Sequence, residues 1–330
     1  MNPIIFDRRT FAKGLAAVAG AGALGLTGCG GEDGSRSHKI GVLQLTEHAA
    51  LDAANAGFVA AVEESGIDAQ IEQQNAQNDQ SACQTIAQTL VNDGCDLILA
   101  IGTPAAQAVL GVTTEIPIIG TAITDFAASG LVESNEAPGG NLTGTSDMNP
   151  VADQIDLLQQ LVPDAETVGL LYCTRESNSE IQIALAEEEL DALGIGHERY
   201  SFADSNELSQ VVESMVGKVD AIYTPTDNTV AAGMTTVSMT ANEAGIPTVC
   251  GEVGMVENGG LASISINYEE IGRRAGEMAV EILANGADPA EMPVEQMSAE
   301  ECDLVYNGQT AEQIGVDVSS LEGGEDVSAE

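Results

Sequence analysis

"DLILAIGTPAAQA", residues 96–108, sets a short apolar run against Gly-Thr-Pro and then against small residues at helical spacing. A run of that length without polar alternation reads as a strand buried on both faces. Thr103 and Pro104 mark the opening of a helix at the strand's carboxyl end. The order recurs at "DAIYTPTDN", residues 220–228, where Thr226, Asp227 and Asn228 crowd the end of a second apolar run.

The flanking sequence carries the same alternation. "KIGVLQL" at 39–45 is a strand, 49–65 a helix, "AQIEQQNA" a strand, 80–93 a helix, and 104–114 a helix followed by the strand "IPIIGTA". Strands alternating with helices of this length predict right-handed βαβ units and a parallel sheet. "TVGLLYC" at 167 then echoes "KIGVLQL", and "GIPTVCG" at 245 echoes "EIPIIGT" at 115. The first and third strands start 57 residues apart in the first half and 53 in the second, as a duplication requires.

The expected fold is therefore α/β, with two similar doubly wound parallel-sheet lobes. Asn149-Pro150 favours a break between them. "GLASISINYEE" and "IGRRAGEMAVEILANG" add a strand and a helix, assigned to the edge of the first sheet, after which residues near 297–315 return to the second lobe. That gives lobe 1 as 38–149 with 259–296, lobe 2 as 150–258 with 297–322, an acidic tail at 323–330, and three crossings that form a hinge.

With 330 residues and 44% hydrophobic content, the chain can build two real cores. Only 3% of residues are aromatic and Trp is absent, so a pocket must be aliphatic and polar, which argues against a sugar ligand. A net charge of −42 without a basic patch repels phosphate backbones and excludes nucleic acid as a partner.

Residues 1–29 carry a basic start with Arg8-Arg9, a Gly/Ala-rich apolar stretch and "LTGC", the features of a twin-arginine export signal ending in a lipobox. Cys29 is then a lipidated, acylated anchor, residues 30–37 a flexible tether, and the protein is exported and held on the outer face of the cell membrane by lipid alone. The five remaining cysteines show no metal spacing and are expected as free thiols; no metal or cofactor is expected.

Ligands of open parallel sheets bind outside the carboxyl ends of the strands. Those positions gather Thr46, Glu47 and His48, Asn75, Thr103 with Pro104, and Thr124 with Asp125 in the first half. The second half contributes Glu176, Asn178 and Ser179, then Thr226, Asp227 and Asn228. The Thr103 hydroxyl and the amides of Ala105 and Ala106 form an anion site suited to a carboxylate, while Asp227 suits an ammonium group. A free amino acid carries both. Each residue also has a plainer role: Thr103 and Asp227 as helix caps, Glu47 and His48 as first-turn residues.

In order and spacing, "KIGVLQLTEHAALDAANAGF", "IEQQNAQNDQS", "DLILAIGTPAAQA", "IPIIGTAITD", "LVPDAETVGLLY" with "ESNS", and "VDAIYTPTDNTVAA" resemble the ABC-transporter substrate-binding proteins of the tryptophan/tyrosine-binding type, over residues 39–320. The resemblance implies a type I periplasmic-binding-protein-like fold, a monomer that closes on an aromatic or large apolar amino acid and delivers it to a permease driven by an ATPase. It places Asp227 and Asn228 at the α-amino group, Thr103, Ala105 and Thr124 near the carboxylate, Asn178 and Ser179 in the cleft, and Glu47 at its mouth or in the side-chain pocket. Phe126, Arg175 and the start of "CGEVGM" depart from the family's pattern and bear on which ligand is bound.

Two other readings stay open. The same fold serves sensory binding proteins without a transporter. A hydrolase would need a positioned base or nucleophile, and the three histidines lie far apart with no G-x-S-x-G, Walker or zinc motif, so no catalytic residue is assigned.

Overall fold

A computed structural model of the protein describes residues 37–328; the stretch expected to be an export signal with a lipobox at Cys29, and nearly all of the expected tether, lie outside the described residues. The first lobe opens β1 (His38–Gln44), α1 (Ala49–Ser65), β2 (Ala69–Asn75), α2 (Gln80–Asn92), β3 (Leu97–Ile101), α3 (Thr103–Leu110), β4 (Ile118–Ile123) and β5 (Leu142–Ser146). The second lobe runs α4 (Val151–Leu161), β6 (Thr167–Cys173), α5 (Ser177–Leu193), β7 (Gly196–Phe202), α6 (Leu208–Met215), β8 (Ala221–Thr224), α7 (Asn228–Ala232), α8 (Met234–Glu243), β9 (Thr248–Cys250), α9 (Val253–Glu257) and β10 (Ala262–Ser265). The chain then returns to the first lobe as α10 (Tyr268–Asn285) and β11 (Glu295–Gln296). It ends in the second as β12 (Asp303–Tyr306), α11 (Gly308–Ile314) and β13 (Glu325–Asp326).

The two sheets repeat one strand order. The first reads β11-β5-β4-β3-β1-β2 and the second β13-β12-β10-β9-β8-β6-β7. Within each, the first strand lies between the second and the third, so the switch point falls beside β1 in one lobe and β6 in the other. Central strands such as β3, "LILAI", are buried along their whole length. The edge strands β2 and β7 are richer in polar residues, because one flank faces water. Among the described residues every pairing is parallel except that of β10 with β12.

One apolar core fills the first lobe, from Ile40 and Phe58 to Ile271 and Ala279. Two cores, one around Leu158 and Leu170 and one around Met215 and Met234, fill the second. Small residues let α1 and α10 approach closely. A Cβ at Gly272 would stand 1.9 Å from the Ala54 carbonyl oxygen, and one at Gly57 2.0 Å from that of Glu269.

Two expectations are corrected. The strand within "GLASISINYEE" belongs to the second sheet, where β10 pairs with β9 and β12, and only the following helix crosses to the first lobe. Its residues Ala262, Ser263 and Ser265 are buried there, so the strand completes the second five-strand repeat as β5 does the first. The acidic tail is not simply a tail, since Glu325–Asp326 pair with Val305–Tyr306 and extend the second sheet. The chain passes between lobes near 147–150, 265–268 and 297–302. Asn149 Oδ1 ties the first two crossings together by accepting from the Ile266 amide at 2.9 Å.

Candidate functional site

The carboxyl ends of both sheets meet along a seam. Among the described residues, side-chain hydrogen bonds cross it at four places. His48 Nε2 lies 3.0 Å from Asn228 Oδ1, Asn78 Nδ2 donates to Thr229 Oγ1 at 2.9 Å, Gln182 Nε2 donates to Thr124 Oγ1 at 3.2 Å, and Gln107 Nε2 donates to Ser177 Oγ at 3.4 Å. Thr124 and Thr226 also face each other across it at 3.5 Å. Between Leu45, Asn78 and Pro104 on one side and Cys173, Arg175 and Glu176 on the other lies a cavity of ≈ 10 Å³, about one water's worth of space. Roomier recesses lie elsewhere, ≈ 330 Å³ beside the hinge and ≈ 540 Å³ against α1 and α10, but the polar convergence is at the seam.

On the first lobe, α3 begins at Thr103 after Gly102. The Ala106 amide donates to the Gly102 carbonyl at 3.1 Å, which removes it from the expected anion site. Helix geometry leaves the amides of Thr103 and Ala105, Pro104 having none. The Thr103 hydroxyl is buried without a hydrogen-bond partner among the described residues. Thr124 follows β4 and donates to Asp147 Oδ1 at 3.0 Å. Asp125 serves its own loop instead, accepting from the Ala128 amide and from Asn135. Thr46 is buried and its carbonyl accepts from Gln44 at 2.8 Å. Glu47 is exposed in a recess lined by first-lobe residues alone.

The second lobe is built around two buried carboxylates. Asp227 caps α7, taking the Val230 amide on Oδ1 at 2.8 Å and the Cys173 amide and Ser179 hydroxyl on Oδ2 at 2.6 and 2.7 Å. It is fully buried, and all three partners belong to its own lobe. Ser179 therefore acts by holding Asp227. Beside it Glu176, 2% exposed, accepts from Asn178, from the amide and side chain of Asn228, and from the amide and hydroxyl of Thr229. Burial, and then the Glu176 charge, push the Asp227 pKa well above the usual carboxylate range. Neither acid has a cationic partner among the described residues; the neighbouring Arg175 stands 3.9 Å from Asp204 and is half exposed. Thr226 accepts from Gln182 at 2.5 Å, and the Asn178 side-chain oxygen, Oδ1, is buried without a hydrogen-bond partner among the described residues.

Two further buried acids flank the hinge. Asp147 takes hydrogen bonds from Thr124 and from the Tyr268 hydroxyl, yet burial raises its pKa to about 6; Glu252, which caps α9, is raised to about 7 for the same reason.

Sequence reasoning left Gln182, Asn78 and the central position of Glu176 out of the site. Gln182 had a signal, lying one helical turn beyond Asn178 on the same face of α5. Asn78 had a weaker one. It follows β2 with φ +60°, a conformation Asn tolerates better than most residues and one that collects near functional sites. Of the family departures, Phe126 is fully buried in the first core, away from the seam contacts, while Arg175 lines the seam.

Two lobes of repeated topology, hinged by three crossings and meeting on polar strand ends, define a two-lobe ligand-binding protein of the type I periplasmic-binding-protein fold. Residues 39–321 match the family described as ABC transporter substrate binding protein, and the chain belongs to it. A tyrosine-binding protein from Clostridioides difficile is 39% identical over 90% of this chain and 91% of its own. The crystal structure of an ABC domain in complex with L-Trp from Streptococcus pneumonia is 36% identical, covers 88% of this chain and 100% of its own, and superposes with a TM-score of 0.84. The ligand-free, open structure of a substrate binding protein with adhesive properties from Clostridium difficile is 42% identical over 89% of this chain and 100% of its own, with a TM-score of 0.68.

Proposed function

We propose that this protein is the extracytoplasmic solute-binding component of an ABC importer, capturing a free aromatic amino acid between its lobes and presenting the closed form to a permease driven by an ATPase. The observation that carries the reading is the unequal chemistry of the two rims. The first offers a helix start and an unpartnered hydroxyl at Thr103, the second two buried carboxylates without a cation. A carboxylate fits the first rim and an ammonium the second. The relatives named for tyrosine and crystallised with L-Trp supply the side-chain class.

Closure supports the same reading. The chain superposes better on the tryptophan complex than on the open, ligand-free structure, although it shares more sequence with the latter. Lobes that close over a zwitterion exclude water from its ion pairs and strengthen them, and the ligand shifts the equilibrium toward the form it contacts on both sides. Among the site residues, Thr103, Ala105 and Thr124 would face the ligand's carboxylate. Asp227, with Asn228, would draw its ammonium, and Asn178 and Thr226 complete the wall.

Mass spectrometry of the small molecule released from purified protein by mild denaturation, followed by calorimetry against L-tyrosine, L-tryptophan and L-phenylalanine, tests the reading. Release of an aromatic amino acid that rebinds is expected. Release of a sugar or nucleoside that rebinds, with no response to the amino acids, refutes it. Anchoring through Cys29 is tested separately, since Cys29→Ser should move the protein from the membrane fraction to the soluble one.

A further inference from the structure

Glu176 orders the seam through its neighbour. Its Oε2 accepts from the Asn228 side-chain nitrogen at 2.7 Å and from the Asn228 amide at 3.0 Å. With that nitrogen committed, Asn228 has one orientation left, and its oxygen faces His48 Nε2 at 3.0 Å. An amide oxygen only accepts, so Nε2 must carry a proton. Burial holds the His48 pKa below its ordinary value, which favours the neutral ring. Nδ1 is then a bare lone pair. It is buried, and it has no hydrogen-bond partner among the described residues.

A buried acceptor left unmatched is costly, and functional sites are where proteins keep such atoms. The ring itself bridges the lobes, so its free nitrogen lies in the region that opening and closing expose and cover. We infer that His48 Nδ1 accepts a hydrogen bond from an N–H or O–H donor on the bound amino acid, with Glu176 and Asn228 as the positioning residues that set its tautomer. This rests on the amino-acid reading above and adds a residue that selects for a donor. The donor is either the ammonium group or a side-chain hydroxyl or ring N–H. All three chemistries offer the same proton to the same lone pair.

The test is nitrogen NMR of the imidazoles, combined with calorimetry on two variants. The chain has three histidines, so His48→Gln assigns the His48 signals by their loss. In the free protein Nε2 should resonate as a protonated and Nδ1 as an unprotonated nitrogen, and saturating L-tyrosine should shift Nδ1 toward its hydrogen-bonded position. His48→Gln keeps an amide N–H that can reach Asn228 but, with that N–H so engaged, presents no ring nitrogen at the Nδ1 position, and should weaken binding about tenfold, one hydrogen bond's share. Glu176→Gln should blur the tautomer preference of His48 in the free protein.

Equal losses for tyrosine and phenylalanine assign the donor to the ammonium; a loss confined to tyrosine and tryptophan assigns it to the side chain. A wild-type protein that binds these ligands with an unmoved Nδ1 signal, or a folded His48→Gln that binds them as tightly, overturns the inference and leaves the function standing. Failure of the wild type to bind any of them overturns both.

Discussion

After the third strand of the first lobe the chain runs Gly102-Thr103-Pro104; after the corresponding strand of the second it runs Pro225-Thr226-Asp227. Both segments follow buried strands at the same place in a repeated sheet order, and both lead into helices. One ends in a hydroxyl over helix amides, the other in a buried acid held by the Cys173 amide and the Ser179 hydroxyl. The difference shows how a duplicated fold acquires polarity. The strands are under the constraint of packing on both faces and stay alike, while the residues just past them, free of that constraint and placed at the seam, diverge.

The contrast breaks most visibly at the acid. Asp227→Ala should cost ~2–4 kcal/mol of amino-acid affinity, the loss expected when one member of a desolvated charge pair is removed. Because Asp227 also caps α7, a thermal melt must accompany the calorimetry, and Asp227→Asn separates the charge from the cap. Unchanged affinity in both variants would leave the second rim without its electrostatic role.

The hinge acids come next. Asp147 and Glu252 have folded-state pKa values raised to about 6 and about 7. Stabilisation from holding such acids neutral is complete below their unfolded pKa values of about 4 and is lost as pH rises through the folded ones. Unfolding free energy should therefore fall between pH 5 and pH 8. Glu252→Gln should be more stable than wild type by ~1–3 kcal/mol at pH 8 and show little gain at pH 5. Denaturant melts at the two pH values check this, and an equal effect at both would contradict it.

Gln182→Leu removes the buried amide that joins Thr226 to Thr124 across the seam. A loss of ~1–2 kcal/mol is expected, read in stopped-flow measurements as faster ligand dissociation with little change in association. Thr103→Ala should have the smallest effect, ~0.5–1.5 kcal/mol, because the helix amides remain to receive the carboxylate. A larger loss there than at Asp227 would reverse the assigned polarity of the two rims.

Much of this was legible in the chain itself. Apolar runs such as "LILAI" and "TVGLLYC" announce buried strands, and their echo announces two lobes, because packing constrains every residue in them. The sequence does not reveal which sheet β10 joins, because "ASIS" is short and small-sided and nothing local distinguishes the end of one sheet from the edge of another. The rim residues could be collected from strand ends alone. Which of them face the seam could not. Asp125 and Glu47 stand in positions as suitable as Thr124, and only the direction of the side chain, fixed by Asn135 in one case and by exposure in the other, separates them. Glu176 precedes α5 like any first-turn acid, and four of its five donors become apparent only when the turn after β8 is laid against it.

Calorimetry with L-tyrosine and two blocked analogues, N-acetyl-L-tyrosine and tyramine, tests the two-ended grip most directly. Saturable binding of the free amino acid is expected, with each analogue weakened by on the order of a hundredfold or more because one rim is left facing an uncharged or missing group. Analogues that bind as tightly as the amino acid would show that the lobes do not hold a zwitterion by its two charges.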